Sequence, residues 1–551
     1  MRVSFDVFDT AIVREVFKPT DLFDYLGDAS FKEKRIEAEN KARQKDRYYN
    51  IYDIYTYLPE YTVDDEIRME ISNCRVNPQI KNQIIEHILN EDDILFISDM
   101  YLPSSVIKQM LIKCGYRNPK VYVSCEMKAC KGDGRLYYEV TQKAGKIDLH
   151  YGDNYHCDCV APRWNNIETR YVKKLEDAGT PIPELTSSKL RKLLALNEKS
   201  NKHINNKVAF QLSTMLYDFT KWILDSRKAG QKIFFNARDG YLPYIIARDI
   251  FKAPDIYYIR CSRKSVLPCS IDFDKPIDHP VNSVHFQRLI LSRTGGVKSF
   301  LGSLNYPVHT GEVFPDMSIR DYVLSHQGKL YEFFKQNKKC AEKYLAKFDI
   351  QENDMLVDVG YFGSIQFAIE SIIKKPLKGY YLQTFESELP IERFSYFTRK
   401  IVKYCLLIES IMSSSEDGVY GYTKDGEPLF YADNKQKKEF SDTITKEIMS
   451  AVSLIHMDFK DEICREDIEK IVIRFLYYPT LEEAHYCNEP IFENGNITQF
   501  ESCVWYDRDR IIKGELQDCY DKSYWRPAFI TLLRNDKELA HLEKLIRVHY
   551  D

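Results

Sequence analysis

Along the first 180 residues, short unbroken apolar runs are each closed by a polar or charged residue. Val3-Ser4-Phe5 ends at Asp6, with Val7, Phe8, Asp9 and Thr10 following. Ile94-Leu95-Phe96-Ile97 ends at Ser98 and Asp99, and Val121-Tyr122-Val123 at Ser124. Leu149-His150-Tyr151-Gly152 ends at Asp153 and Asn154, with a further acid at Asp158. Such runs predict buried parallel strands. Between the first two, the periodicity becomes helical. Phe31 to Arg43 is rich in helix formers and i,i+4 charge pairs, Asp64-Asp65-Glu66 sets acids in a first turn, and Gln79 to Leu89 makes a third helix. The pattern predicts an α/β domain over 1–180 with a parallel sheet and a helical insertion at about 14–90.

A second α/β pattern follows. A strand at Ile167 to Val172 closes the first domain, and Ala178-Gly179-Thr180-Pro181-Ile182-Pro183 reads as a linker. After a basic helix near Ser188 to Leu196, Lys232 to Ala237 is a strand running into Arg238-Asp239-Gly240 and a helix. Ile256 to Ile259 delivers Arg260, Ser262, Arg263 and Lys264, and Met355 to Val359 carries Asp358 into Gly360-Tyr361-Phe362-Gly363-Ser364. Gly379 to Gln383 is a further strand. The expectation is a second Rossmann-like α/β domain over 186–400 and a mostly helical extension over 401–551. In that extension Trp505, Tyr520, Tyr524 and Trp525 read either as core or domain-packing aromatics, the favoured reading, or as a binding surface.

Composition narrows the class. At 551 residues the chain exceeds one ordinary core, and 44% apolar with 13% aromatic content fills several. A net charge of −4, from 78 basic and 82 acidic residues, argues against a nucleic-acid-binding surface. No run approaches the ~20 apolar residues of a membrane span. A strand begins at Val3 and leaves no room for a signal peptide, so a cytoplasmic protein is expected. The 14 cysteines fit that compartment as reduced thiols. Cys157 and Cys159 lie beside His156, but no second ligand pair with zinc-site spacing follows.

The polar strand ends carry the chemistry. The carboxyl edge of an open α/β sheet is where ligands bind. A carboxylate there can attack phosphorus, and two from different strands can hold Mg²⁺. A hydroxyl and an ammonium can offset the phosphoryl charge. Lys131, followed by Gly132 and Gly134, supplies the ammonium. This set resembles the haloacid dehalogenase (HAD) superfamily, mostly Mg²⁺-dependent phosphatases. The resemblance implies a HAD-like Rossmannoid sheet with a helical cap. It makes Asp6 the nucleophile, Thr10 and Ser98 phosphate ligands, Lys131 the phosphate-facing cation and Asp153 the second metal carboxylate. Asn154 and Asp158 become supporting acidic-loop residues near the metal, and Asp99 joins the substrate side. In the cap, Arg35, Glu39 and Arg43 either line the site or form a solvated charged face. Phe8 departs from the family pattern, which has an acid there as general acid/base. Its carbonyl remains a metal ligand, but its side chain shuttles no proton. Asp9, one residue further, is expected to point elsewhere by strand alternation.

In the second domain Arg238, Asp239, Arg260, Arg263, Asp358, Gly360, Gly363 and Ser364 read either as a nucleotide- or sugar-phosphate-sized site or as an ion-pair network at a sheet edge. The layout over about 1–400 resembles large bacterial predicted HAD hydrolases found with cell-envelope polysaccharide genes. It implies a small phosphorylated substrate of the sugar or polyol class and glycosyltransferase partners. The expected activity is Mg²⁺-dependent phosphoryl hydrolysis or transfer through Asp6. Two rivals stand beside it: phosphosugar or nucleotide binding without turnover, and a glycosyl- or phospho-transferase centred in the second domain.

Overall fold

The computed structural model describes residues 1–178, 181–196, 206–279, 282, 296–304, 306–307, 314, 316–398, 403–431, 435–487 and 503–546. The chain forms two compact units, Met1–Lys207 and Val208–Asp551. Both are α/β units built on a five-stranded parallel sheet. Of the expected linker, Gly179 and Thr180 lie outside the described residues.

In the first unit the strands are β1 (Arg2–Phe5), β2 (Ile12–Arg14), β3 (Cys74–Val76), β4 (Asp93–Ser98), β5 (Lys120–Val123), β6 (Leu149–Gly152) and β7 (Glu168–Tyr171). The sheet order is β5-β4-β1-β6-β7, with Val3 opposite Ile94 on one side and Leu149 on the other. The chain therefore builds outward from β1 through β4 and β5, then crosses to the far side of β1 for β6 and β7. Alternate side chains serve the two faces. Val3, Phe5 and Phe96 join one apolar cluster with Ile107, Met110 and Leu111. Leu95 and Ile97 join the other with Leu136, Tyr137, Val140 and Ile147. Each such side chain contributes about 1.5–3 kcal/mol on burial.

The antiparallel pair β2–β3 frames the insertion, so that residues 15–73 leave the sheet region between two paired strands. It contains the helices Phe31–Lys45, Ile51–Tyr55 and Val63–Ser72. The expected third insertion helix is a sheet helix instead. Pro78–Leu89 follows β3 and sends Ile80 and Ile84 into the core that holds Val3 and Phe5. The charged helix is corrected as well. Arg35 neither lines a cleft nor faces solvent; it is fully buried and pairs with Glu66 at 2.6 and 2.8 Å. Its guanidinium lies over the rings of Phe23 and Tyr101.

In the second unit the strands are β8 (Ile233–Asn236), β9 (Ile256–Ile259), β10 (Met355–Asp358), β11 (Lys378–Gln383), β12 (Glu392–Phe397), β13 (Val419–Tyr422) and β14 (Pro428–Phe430). The first five form a parallel sheet in the order β12-β11-β10-β8-β9, and β13 pairs antiparallel with β14. Described residues beyond 434 are mainly helical, including Lys435–Leu454, Arg465–Tyr477 and Arg526–Asn535. Trp525 is buried there and donates its indole N–H to the Leu476 carbonyl at 2.8 Å. Among the described residues no helix is long and apolar enough to cross a membrane.

Candidate functional site

The chain reverses direction across β1, and the crevice between β1 and β6 opens at their carboxyl ends. Asp6 follows β1 and Asp153 follows β6, so neighbouring strands bring both carboxylates to that crevice. The Asp6 N–H donates to the Tyr151 carbonyl at 2.8 Å, which extends the pairing one residue past the strand. Lys131 arrives from the turn after β5. Asp99 accepts the Lys131 backbone N–H at 3.0 and 3.1 Å, and the Lys131 carbonyl accepts from Gly134 N–H at 2.8 Å.

Lys131 is buried and donates to Oδ1 of Asp6 and, at 2.8 Å, to Oδ1 of Asp158. Burial alone would lower its pKa; the Asp158 and Asp6 carboxylates outweigh that and hold the ammonium well above its ordinary range. Asp158 is the best-satisfied group here. It accepts from Tyr137 hydroxyl at 3.2 Å and from Asn154 N–H at 2.9 Å, and lies 3.2 Å from His150 Nε2. Although burial pushes it up, Lys131 and His150 bring it below the usual carboxylate range. Gly152 makes room for this: a Cβ there would overlap the Asp158 carboxylate. Asp6 behaves oppositely. Burial pushes its carboxyl up to about 8, against the pull of Lys131, with Asp158 and Asp153 adding to the rise.

Carboxylate oxygens of Asp6, Asp153 and Asp158 lie within 4.8 Å of one another, a donor set that could hold a metal ion. Asp158 is engaged on both oxygens, Oδ1 by Lys131, Tyr137 and His150 and Oδ2 by Asn154 N–H, whereas Asp6 meets Lys131 through Oδ1, so Asp6 and Asp153 are the pair more open to a cation. Thr10 donates its hydroxyl to Asp153 Oδ1 at 3.1 Å, and Ser98 is buried at the end of β4. Asn154 uses its side-chain oxygen to cap the following turn at Cys157 N–H, 3.0 Å away. The Phe8 ring packs beneath the Arg14 guanidinium, 4.1 Å from its centroid, and Arg14 pairs with buried Glu70 at 2.8 and 3.0 Å.

Asp9 does not point away. The strand ends at Phe5 and Asp9 adopts φ 56°, so alternation no longer governs it. Its carboxylate meets Lys174 Nζ at 3.0 Å, and the same ammonium lies 3.4 Å from Asp153. The sequence does not single out Lys174, His150 or Tyr137. Lys174 sits in an ordinary polar stretch, and His150 and Tyr137 occupy apolar strand and helix positions.

The second-unit candidates gather at the carboxyl edge of their own sheet. Asp358 ends β10, buried 3.4 Å from the Asn236 amide that ends β8. Arg238 and Asp239 follow β8, and Asp239 accepts the Ser413 hydroxyl at 2.6 Å. Arg260 follows β9 and pairs with Glu416 at 2.6 Å, and Arg263 opens a short helix after it. Gly360 precedes the helix that begins at Ser364. Gly363 has φ 77°, and the space a Cβ would need is filled by Ile391, Arg393 and Tyr381. Packing against neighbouring strands therefore accounts for that glycine. Glu409, missed in the sequence, joins the cluster from the helix Cys405–Met412. No protein-family model matches this chain, and no curated protein matches it.

Proposed function

We propose that the first unit is a HAD-type, Mg²⁺-dependent phosphohydrolase acting on a small organic phosphate of the sugar or polyol class through an aspartyl-phosphate on Asp6. One observation carries the reading: a single buried ammonium, Lys131, joins Asp6 to Asp158 beside Asp153 at the sheet's carboxyl edge. Asp6 and Asp153, with the Phe8 carbonyl, would hold the ion; hard carboxylate oxygens suit Mg²⁺. Bound there, Mg²⁺ supplies positive charge that keeps both carboxylates ionised and offsets the phosphoryl oxygens.

The chain's own residues do the rest. An Asp6 oxygen attacks phosphorus while the bond to the substrate oxygen breaks, and that oxygen leaves with a proton from solvent. Water then attacks phosphorus, freeing the Asp6 carboxylate and inorganic phosphate, with the water's proton passing to solvent. Lys131 faces the transferred oxygens, and Asp158 holds Lys131 in place through an anchor of His150 and Tyr137. Thr10 orients Asp153. The biological setting we propose is cytoplasmic cell-envelope polysaccharide metabolism beside glycosyltransferases, on the resemblance alone.

The test is phosphate release from a panel of sugar and polyol phosphates with Mg²⁺, wild type beside Asp6→Asn. Release should fall to background in Asp6→Asn, a loss of at least about 10³-fold. Absence of release from folded wild type would sink the reading. Binding without turnover is the second reading, favoured by Phe8 packed under Arg14 where the family carries an acid. It predicts Mg²⁺-dependent ligand binding with no phosphate released.

A further inference from the structure

The second sheet has its own reversal. From β8 the chain moves outward to β9, then returns on the other side of β8 to place β10, β11 and β12. Connections leaving neighbouring parallel strands in opposite directions open a crevice at their carboxyl ends, where doubly wound sheets bind ligands. Fold alone does not make a site. Here the side chains decide.

Asn236 and Asp358 end the two strands flanking the crevice. Asn236 is 2% exposed; its Nδ2 lies 3.4 Å from Asp358 Oδ2, but its Oδ1 is buried and has no hydrogen-bond partner among the described residues. Buried polar atoms in native proteins are almost always paired, so this acceptor is matched by a donor such as a ligand hydroxyl or a bound water. Arg238, Asp239, Arg263 and Glu409 act electrostatically on one another or on Asp358, the partner of Asn236. They come from the ends of β8 and β9 and from the helix Cys405–Met412. Mixed charge of this kind suits a ligand carrying both an anion and hydroxyl groups.

A cavity of about 570 Å³ runs beside the edge strand β9, from Ile256 to Arg260, and the crevice side chains do not line it. Tyr258 and Ser414 are shared: both line the cavity, and both hold the turn that carries Arg238. The Tyr258 hydroxyl accepts the Arg238 N–H at 2.8 Å, and the Ser414 N–H donates to the Arg238 carbonyl at 3.1 Å. Tyr244 and Tyr258 have ring centroids 5.4 Å apart, and the Arg260 guanidinium stands 5.5 Å from the Tyr258 ring. Aromatic and guanidinium planes together favour a flat ligand ring. The volume is that of a small-molecule site.

We infer that the crevice and cavity form a second ligand site for a nucleoside diphosphate. The planar ring enters the tyrosine-lined cavity, and the hydroxyls and phosphates lie over the strand ends where Asn236, Asp358, Arg238 and Arg263 stand. This site belongs to the second sheet and is independent of the phosphohydrolase reading.

Isothermal titration of the full-length Asp6→Asn protein with UDP, ADP and inorganic phosphate tests it, since that variant silences turnover in the first unit. At least one nucleotide should bind saturably, about tenfold or more tighter than phosphate. Arg260→Gln, at a half-exposed position, should weaken that binding by about tenfold without shifting the melting midpoint. Asp358→Asn should also weaken that binding where it folds. No saturable binding of either nucleotide up to about 1 mM, or equal affinity for nucleotide and phosphate, overturns the inference. So does unchanged affinity in Arg260→Gln.

Discussion

The Lys131 ammonium lies 2.8 Å from Asp158 Oδ1, with both side chains buried, and the same ammonium bonds Asp6. One cation thus serves two carboxylates, one just past the end of β1 and one in the helical turn Tyr155–Val160 after β6. Asp158 is held by further donors, whereas Asp6 relies mainly on Lys131. That asymmetry leaves Asp158 as the anchor of Lys131 and Asp6 as the less constrained of the two acids.

Removing the shared cation should be costly. Lys131→Met leaves Asp6 and Asp158 buried without their partner, and breaking a buried pair costs about 3–5 kcal/mol. Urea denaturation should show a loss of that size, with phosphate release abolished. A change below about 1 kcal/mol would mean the carboxylates are neutralised by other means.

Phe8→Asp tests the missing proton donor. A general acid typically supplies about 10²–10⁴-fold in rate. The new carboxyl would lie under Arg14, which favours its ionised form and deprives it of the proton it must donate. The single change should therefore raise kcat by less than about tenfold. Combining it with Arg14→Met and Glu70→Met, which removes the pair together, should release the larger gain in steady-state assays.

The Arg35–Glu66 pair inside the insertion is structural. Glu66→Ala leaves the fully buried Arg35 guanidinium with Glu39 as its one remaining carboxylate among the described residues and should destabilise the protein by about 3 kcal/mol in chemical denaturation. Replacing both, Arg35→Met with Glu66→Leu, should recover most of that loss. A substrate-binding role would instead show as a raised KM at unchanged stability.

Asp358 sets a pH dependence in the second unit. Burial, aided by Asp239, pushes its carboxyl up to about 8 from an ordinary 3.8. The native state then holds the proton more tightly than the unfolded chain. Its contribution is fully present below pH 4, falls as pH rises between about 4 and 8, and levels off above 8. The slope is at most about 1.4 kcal/mol per pH unit. Denaturation across pH 4–8 should be flatter in Asp358→Asn than in wild type; equal slopes would place the titration elsewhere.

Much of the first sheet was legible because local patterns carried it. Apolar runs closed by Asp6, Ser98 and Asp153 mark strands and their ends without reference to any distant partner. The frame of the insertion was not legible, because β2 and β3 are three residues each and exist only by pairing across about sixty intervening residues. Helix Pro78–Leu89 was assigned to the insertion since its sequence says it is amphipathic, but not which surface it covers. Arg35 looked like one more charge in a helix of charges; only Glu66, Phe23 and Tyr101 closing around it make it a core residue.

The same division holds at the sites. By itself the sequence determined the parallel α/β character of both units and which acids and cations stand at strand ends, because period and turn chemistry are local. Tertiary structure alone decided that Lys131 is shared by Asp6 and Asp158, that Lys174 reaches Asp9 and Asp153, and that Glu409 joins Asp239 and Asp358. Charge pairing and desolvation depend on distances between residues far apart in the chain, and folding sets those distances.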